Sequence, residues 1–356
     1  MTRIDWVILR IIGSRIVLTA LVFMGLVLLV ETIDSWRYNY LASVGGVPLA
    51  IFGMISEAAD WLFKALGLVV LLGTAIGVVD LQSRRELTVI KSSGLSIWRI
   101  LRAPTVALLI AGLAVTLFAE SAVTQTNRSL EATLPGDNSV LNSTGGLWLE
   151  QYNEGERYVL EAEHVVANGQ ELHDVSIFLP DGVKQGRVVA PVAKLGDGQW
   201  LFPDATRYRA GLLPEELVNY SLPTTTTAGD LRLKLSTTDD MTFYELAASL
   251  RTRVTDPALR NAVATRFLRL LALPALLVGA LFIAFAFTAG YRRSSTYGAP
   301  VVYAIFLGFV VFVIGEMGDR AGSAGVIDPL FAATGPAVVA VLIGLTALLY
   351  KEDGWA

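Results

Sequence analysis

The chain has 356 residues, of which 53% are hydrophobic and only 17% are charged, and its formal net charge is −4. Soluble domains carry about 25% charged residues, so this composition is typical of an integral membrane protein, and the negative net charge provides no basic field for nucleic acid. The absence of cysteine excludes disulfides, thiol chemistry and cysteine-based metal sites, and two histidines are too few for a histidine-rich metal centre.

Six apolar segments are long enough to cross a bilayer, which takes about 17–25 residues in a helix. The first follows two arginines, as in a signal peptide, but no small-residue cleavage site comes after it. We therefore expect a polytopic α-helical membrane protein. The predicted spans are residues 16–30, 61–79, 103–119, 270–291, 297–315 and 329–350.

A polar region of different character separates the third span from the fourth. Its short runs alternate polar and apolar residues between turn signals, which predicts an antiparallel sandwich or open barrel. A helical stretch, 242–253, follows. The seven predicted strands are 148–152, 157–166, 172–179, 187–195, 200–208, 217–222 and 231–235.

The chain therefore has a 3+3 organisation with an inserted β-domain. Residues 1–119 hold transmembrane helices 1–3, residues 120–258 the β-domain and its following helical segment, and residues 259–356 transmembrane helices 4–6. With the N-terminus in the cytoplasm, the inner segments hold eleven lysines and arginines and the short outer loops hold two. This asymmetry predicts cytoplasmic termini and a periplasmic β-domain.

No pattern in the chain predicts catalysis. The sequence has no P-loop, so any ATP is bound by another subunit, and both histidines, His164 and His173, lie in acidic strand-like runs. The spans contain almost no ionisable residues, which disfavours ion-coupled transport. We predict no catalytic residue, no metal ligand and no cofactor. Gly73 and Gly77, four residues apart, predict a helix–helix contact.

The loop after the second span is the most informative segment. It predicts a short amphipathic helix at about 82–94, with Leu87 and Ile90 on one face, Gly94 as a stop and Ser96 as the next N-cap. A polar helix beneath the membrane allows a permease without an ATP site to dock an ATPase subunit. A plain solvated loop is the alternative interpretation.

Residues 85–94, Arg-Glu-Leu-Thr-Val-Ile-Lys-Ser-Ser-Gly, resemble a signature of the lipopolysaccharide export permeases LptF and LptG. The order of three spans, β-domain and three spans is also similar over the whole chain. The Ile12-Gly13 pair and the Asp34-Ser35-Trp36-Arg37 segment are more similar to LptG than to LptF.

The resemblance implies one subunit of a heterodimeric ABC permease that extracts lipopolysaccharide from the outer leaflet of the bacterial inner membrane. Its implied partners are an LptF-type second permease subunit, an LptB-type ATPase dimer, and the LptC and LptA periplasmic bridge. The β-domain is then jellyroll-like and passes lipid to the bridge. The coupling residues are Arg84, Arg85, Glu86, Leu87 and Ile90, with Glu86 at the position of the family's coupling glutamate.

Lipid contacts are expected at two places. The candidates for binding headgroup phosphates are Arg37, Arg320 and Arg266, because the arginine fork donates two hydrogen bonds at once. The outer end of the first helix is followed by Glu31, Arg37 and Tyr38, so Arg37 is the positive charge expected there. Inward positions of the β-domain are candidates for an acyl-chain path, with a packed core as the alternative. These positions are Val159, Val165 and Ile177.

Three other functions are alternatives for a membrane protein of this composition. Permeases of the lipoprotein-release or macrolide-export type place the large outer domain after the first span and have four spans, unlike this chain. A membrane-anchored scaffold whose β-domain only binds partners would need no inner docking helix. A membrane hydrolase is disfavoured by the missing nucleophile and base.

Overall fold

The computed structural model describes residues 3–33, 35–131, 147–153, 156–166, 171–179, 186–196, 198–209, 211–224, 238–251, 257–289 and 298–352. The chain divides into two compact units. The helical unit comprises Met1–Glu131 and Asp239–Ala356, and the sheet unit comprises Ala132–Thr238. An antiparallel sheet inserted between helices confirms the predicted fold class.

The helical unit contains long helices on both sides of the insertion. A π-helical segment, Val115–Ala119, joins α5 to α6. The helices are α1 (Arg3–Glu31), α2 (Ser35–Lys64), α3 (Leu66–Ser83), α4 (Glu86–Ser92), α5 (Ile97–Ala114), α6 (Glu120–Glu131), α7 (Phe243–Arg251), α8 (Pro257–Thr288), α9 (Gly298–Ser323) and α10 (Pro329–Glu352).

Six helical stretches of the described chain are long and apolar enough to cross a membrane. Those in α1, in α5 with α6, in α8 and in α10 coincide with predicted spans. The fifth predicted span falls on α9, which is not among the six stretches although residues 298–315 contain no charged residue. The six stretches are Arg3–Glu31, Tyr38–Lys64, Leu66–Ser83, Ile97–Leu130, Leu259–Thr288 and Pro329–Tyr350.

The second predicted span, 61–79, begins in the last turn of α2 and continues in α3. Only Ala65 separates the two helices, and its carbonyl still accepts a hydrogen bond from Val69 N–H at 3.0 Å. Helix α2 was not predicted as a span, because the non-helical pair Gly45–Gly46 and Pro48 interrupt its apolar run.

Helices α1 and α3 pack through the predicted glycine pair. A Cβ atom on Gly73 would lie 2.5 Å from Ile16 Cα, and one on Gly77 would lie 3.2 Å from Ile12 Cα. Such short distances mean that the two backbones touch, which small residues permit. The predicted contact is confirmed.

A second seam joins α5, the π-helical segment and α6 to α8. A Cβ atom on Gly112 would lie 2.7 Å from Pro274 Cα, and one turn further on Thr116 Oγ1 donates a hydrogen bond of 2.9 Å to Leu270 O. Pro274 has no N–H and so leaves the carbonyl four residues earlier, that of Leu270, without its helical donor. The buried Thr116 hydroxyl supplies the missing donor from the neighbouring helix.

The sheet unit is a single antiparallel meander in the order β1-β2-β3-β4-β5-β6. The family resemblance implied a jellyroll-like domain; among the described strands each pairs with the next along the chain, without a crossing connection. The predicted seventh strand, 231–235, lies outside the described residues. The strands are β1 (Leu147–Asn153), β2 (Glu156–Val166), β3 (Glu171–Leu179), β4 (Gly186–Gly196), β5 (Gln199–Tyr208) and β6 (Glu215–Pro223).

Two prolines coincide with breaks in the alternation of the sheet. The pairing register places Asp174 opposite Pro191 and Asn219 opposite Pro203. Asp174 and Asn219 both have a φ of 53°, and Asp and Asn tolerate this left-handed region better than most residues do. Buried positions shift by one residue at these points, as between Phe202 and Ala205 in β5.

Helix α7 begins with a capping box. Thr242 N–H donates to Glu245 Oε2 at 2.8 Å, and Glu245 N–H donates to Thr242 Oγ1 at 3.3 Å. Arg128 of α6 also donates to both carboxylate oxygens of Glu245, at 2.9 and 2.8 Å. The Arg128 guanidinium, above all, lowers the pKa of Glu245 to about 2, so this carboxylate stays ionised while it ties α7 to α6.

The α1–α3 seam predicts a strong position dependence of glycine substitution. Gly73→Ala should destabilise the folded chain by about 1–3 kcal/mol, because the new methyl group meets the Ile16 backbone. Gly25→Ala is the matched control, since nothing lies within 4 Å of the Cβ atom it adds. Unfolding by sodium dodecyl sulfate in mixed micelles measures both, and equal stabilities would contradict the contact.

The hydrogen bond between α5–α6 and α8 gives a second prediction. Thr116→Val should cost about 1–3 kcal/mol because it leaves the buried Leu270 carbonyl without a donor, whereas Thr116→Ser should retain most of the stability. Thr126→Val is the control, because exposed Thr126 Oγ1 bonds only to Ala122 O of its own helix, and it should change stability by less than about 0.5 kcal/mol. The same unfolding measurement applies, and an effect of Thr116→Val no larger than that of the control excludes the role.

Candidate functional site

A cavity of about 120 Å³ lies among the helices of the helical unit. Its apolar wall comes from α3, α8 and α9, where Leu71, Leu276 and Val311 are typical lining residues. At one end of the cavity the lining becomes charged, with residues from α2, α6, α8 and α9. The charged lining residues are Asp60, Lys64, Glu120, Arg266, Arg269, Glu316 and Asp319.

The most buried charges of the cavity form an ion pair between α8 and α6. Arg266 Nη2 donates to Glu120 Oε1 at 2.7 Å, and the two side chains are 12% and 5% exposed. Removing two charges from water costs several kcal/mol for each ion. The close geometry of the pair therefore offsets the cost of burial, and removing either partner alone would strongly destabilise the protein.

A second group of charges connects α8 to α9. Arg269 donates to Glu316 at 2.6 Å and contacts Asp319 at 2.8 Å, while Lys64 pairs with Asp60 at 3.0 Å. The charged end of the cavity thus has four carboxylates and three cations. An apolar wall continuing into a charged end suits an amphiphile, with acyl chains in one part and a polar headgroup in the other.

Helical spacing explains how these charges meet. Arg266 and Arg269 are three residues apart on α8, and Glu316 and Asp319 are three apart on α9, so each pair shares one helix face. Arg266 is one of the headgroup candidates predicted from the sequence, whereas none of the four acids was predicted. One feature of the sequence could have identified these acids: they lie near the ends of otherwise apolar helices.

The three predicted headgroup arginines have different surroundings. Arg266 lines the cavity and is paired with Glu120. Arg320 is exposed near the end of α9 and is not part of the cavity lining. Arg37 lies in α2, but its side chain is outside the described residues. Of the two described side chains, only that of Arg266 therefore lines the cavity.

The predicted coupling helix is shorter than expected. Helix α3 extends to Ser83, and α4 covers only Glu86–Ser92 instead of about 82–94. Arg85 has a φ of 58°, so this left-handed residue turns the chain between the two helices. Arg84 and Arg85 thus precede the helix, and Glu86 opens it.

The apolar face of α4 points into the protein. Leu87 is 4% exposed and belongs to the main hydrophobic core, and Ile90 packs against that core. These two predicted coupling residues hold α4 in place and do not form its exposed surface. The exposed residues on and beside α4 include Arg85, Thr88 and Val89.

Polar contacts fix the helix ends around α4. Asp80 of α3 accepts hydrogen bonds from Arg15 of α1 at 2.7 Å and from Arg84 at 3.1 Å. Gln82 Nε2 donates to the Thr288 carbonyl at 2.9 Å, which satisfies one of the last carbonyls of α8. The segment that carries α4 is therefore connected to α1 and α8.

The three predicted lipid-path residues of the β-domain do not share one face. Ile177 is fully buried in the sheet core, opposite Leu160. Val159 is opposite Phe178 and half-buried on the other face. The side chain of Val165 is outside the described residues. The expectation that all three point inward is wrong for Val159, because it directly precedes the buried Leu160 in an alternating strand.

Around the buried sheet face, Tyr158 donates its hydroxyl to the Pro223 carbonyl at 2.8 Å. Burial raises the pKa of Tyr158 to about 12, so the phenol remains a neutral donor. Within the described residues, no group of three or more His, Asp or Glu side chains is arranged to hold a metal ion.

The comparisons with known proteins agree with this architecture. The family model described as lipopolysaccharide export system permease LptF/LptG matches residues 7–351. No curated protein matches the chain. The match includes both helical halves and the β-domain, but it covers both subunit types, so the choice of LptG stays a prediction. With its six apolar helical stretches, the chain is a multi-pass inner-membrane protein, and it belongs to the family of lipopolysaccharide export permeases LptF/LptG.

Proposed function

We propose that the chain is a permease subunit of an ABC transporter that extracts lipopolysaccharide from the outer leaflet of the inner membrane and passes it to a periplasmic bridge. The family match over residues 7–351 carries this conclusion. The proposed partners are an LptF-type second permease subunit, an LptB-type ATPase dimer, and the LptC and LptA bridge proteins. The chain itself is then a transport subunit without catalytic residues.

The cavity supports an amphiphilic substrate. Its apolar wall, from α3, α8 and α9, is continuous with a charged end formed by α2, α6, α8 and α9. A lipid with a polar headgroup matches such a gradient because each part meets surroundings of its own polarity. The positive-inside asymmetry orients the charged end towards the periplasmic surface and α4 towards the cytoplasm.

Helices α1 and α9 support an assembly larger than one chain. Both present large apolar side chains to the outside, among them Leu21 and Leu29 of α1 and Phe306 and Phe309 of α9. In a membrane these faces contact lipid tails or a second permease subunit. We propose that part of this surface encloses the transport cavity together with the LptF-type partner.

The exposed side of α4 is the proposed ATPase contact. Leu87 and Ile90 are used in packing, whereas Val89 is 66% exposed beside exposed Arg85 and Thr88. An apolar side chain surrounded by polar groups is typical of the centre of an interface. Glu86, at the first position of α4 and half-buried, lies between the packed and the exposed side and is the proposed coupling residue.

A Val89→Asp substitution tests the docking contact. The new charge should weaken ATPase binding at least about tenfold, because the interface would have to bury it without a partner. Membrane insertion should persist, since an exposed surface change normally costs less than about 0.5 kcal/mol. The measurement is the ATPase activity and co-purification of the complex reconstituted from the chain, its second permease subunit and the P-loop ATPase.

Val218→Asp is the matched control, because Val218 of β6 is also a strongly exposed valine, at 75%, but belongs to the sheet unit. It should leave ATPase binding unchanged. If Val89→Asp binds and stimulates the ATPase like the unmodified chain, α4 is not the contact. If the unmodified complex neither hydrolyses ATP nor releases lipopolysaccharide to the bridge proteins, the proposed transport function itself is wrong.

A further inference from the structure

A row of side chains crosses the face of the sheet that is turned away from its buried core. Four of its members directly precede or follow a buried core residue, so the alternation of a strand turns them to the opposite face. The fifth, Tyr208, lies opposite Arg187 in the pairing register and shares its face. This outer row consists of Trp148, Val159, Phe178, Arg187 and Tyr208, one residue from each of β1 to β5.

The flat groups of the outer row contact one another across the strands. The rings of Trp148 and Phe178 are parallel within 8°, with centroids 6.3 Å apart. The Arg187 guanidinium carbon lies 5.5 Å from the Phe178 centroid, and Arg187 Nη2 donates a 2.9 Å hydrogen bond to Ser176 Oγ. These contacts hold the two rings and the guanidinium in defined orientations.

Much of the outer row remains accessible. Trp148 and Tyr208 are each 47% exposed, and Arg187 is exposed as well. The ion pairs found among the described residues of the sheet unit involve Glu171 and Glu215 and do not include Arg187. The row thus combines open aromatic surface with a positive charge that no described carboxylate neutralises, and such patches are typical of binding surfaces.

Stabilisation of the sheet explains only part of this arrangement. A cross-strand ring pair stabilises a sheet whether or not a ligand binds to it, but that role requires neither accessible ring faces nor an unpaired cation. Neighbouring strands lie about 4.8 Å apart, so the outer row extends over about 19 Å from β1 to β5. A surface of this length is suited to a short chain of sugars.

We propose that the outer row binds the acidic sugars of the glycolipid that the chain transports. The C–H groups on one face of a sugar ring pack against an aromatic ring, which removes apolar surface of both from water. The fork of Arg187 donates two hydrogen bonds to a carboxylate or phosphate on the sugar. This proposal rests on the proposed transport function and adds a carbohydrate site on the β-domain.

The surroundings of the outer row favour a sugar over an acyl chain or a protein. Glu161 is paired with both Trp148 and Ser176 in the register and lies beside the row. Further along the same face, Lys194 pairs with Glu171 at 3.0 Å. Sugar hydroxyls form hydrogen bonds with such polar neighbours, whereas an acyl chain would desolvate them without compensation, and the core of a protein interface is depleted in charged residues.

Two tetrasaccharides test this chemistry, with affinities measured for the full chain and its partner subunits in nanodiscs. Tetragalacturonic acid offers carboxylates and ring faces, and maltotetraose offers ring faces alone. Trp148→Ala should weaken binding of both sugars about tenfold, because a stacking contact is lost, whereas Trp148→Phe should retain most of the affinity. Arg187→Gln should weaken only tetragalacturonic acid, also about tenfold, because a charge-assisted interaction is lost.

Trp6→Ala is the matched control. Trp6 is also a strongly exposed tryptophan, at 61%, but belongs to α1 of the helical unit, so both affinities should stay unchanged. If Trp148→Ala fails to fold, Tyr208→Ala replaces it and should likewise weaken both sugars.

A release assay identifies the source of the sugars. In the complex reconstituted with its ATPase and bridge proteins, Trp148→Ala should slow the release of lipopolysaccharide that carries acidic core sugars at least about threefold. Release of lipid A without further sugars should stay unchanged, because it offers nothing for the outer row to bind.

Each result has a defined meaning. Unchanged sugar affinities in the folded Trp148→Ala and Arg187→Gln variants would overturn the proposal and leave the outer row as a contact that stabilises the sheet. Equal release of both lipids, or a loss of bridge-protein binding with sugar affinity intact, would also overturn it. If the unmodified complex releases neither lipid, the proposed transport function is wrong and this inference fails with it, whereas the other results leave transport intact.

Discussion

The missing N–H of Pro274 is the constraint on which the central part of the helical unit depends. It deprives the Leu270 carbonyl of its helical partner in the middle of α8, and a buried carbonyl needs a donor. Thr116 provides the donor from the neighbouring helix at 2.9 Å, next to Gly112, which lets the two backbones approach. One turn further along the same seam, Glu120 meets Arg266. The π-helical segment Val115–Ala119 lies within this seam, as π-bulges often lie at functional sites.

The seam also explains why the charged end of the cavity is ordered. Glu120 and Arg266 are held by the neighbouring contacts along α8, so their ion pair does not have to align the helices by itself. A buried ion pair contributes little net stability but resists the loss of either partner. The pair therefore gives the cavity a fixed electrostatic pattern at a small cost in stability, and Arg269 extends that pattern to α9.

Much of the fold could be predicted from local patterns. Apolar runs located most of the spans, alternation located six strands, and Gly73 with Gly77 predicted the α1–α3 contact. Helix α2 was missed because Gly45, Gly46 and Pro48 break its pattern. The ion pairs were missed because Glu120 and Arg266 are 146 residues apart, and only packing decides which charges meet. Leu87 and Ile90 were placed on a docking surface because a core contact and a docking contact give the same three-residue spacing.

The two sides of helix α9 differ in how closely they pack against the rest of the protein. A Cβ atom on Gly308 would lie 3.0 Å from Leu68, and one on Gly322 would lie 2.6 Å from Ala332 and 2.8 Å from Thr265. The opposite side carries exposed Phe306 and Phe309. Any gain in side-chain volume on the glycine side must push the helix outwards, whereas the aromatic side tolerates exchange among large apolar residues. In evolutionary terms, side-chain volume constrains the glycine side of α9, and substitutions should collect at those outward-facing positions that contact lipid and not the proposed partner subunit.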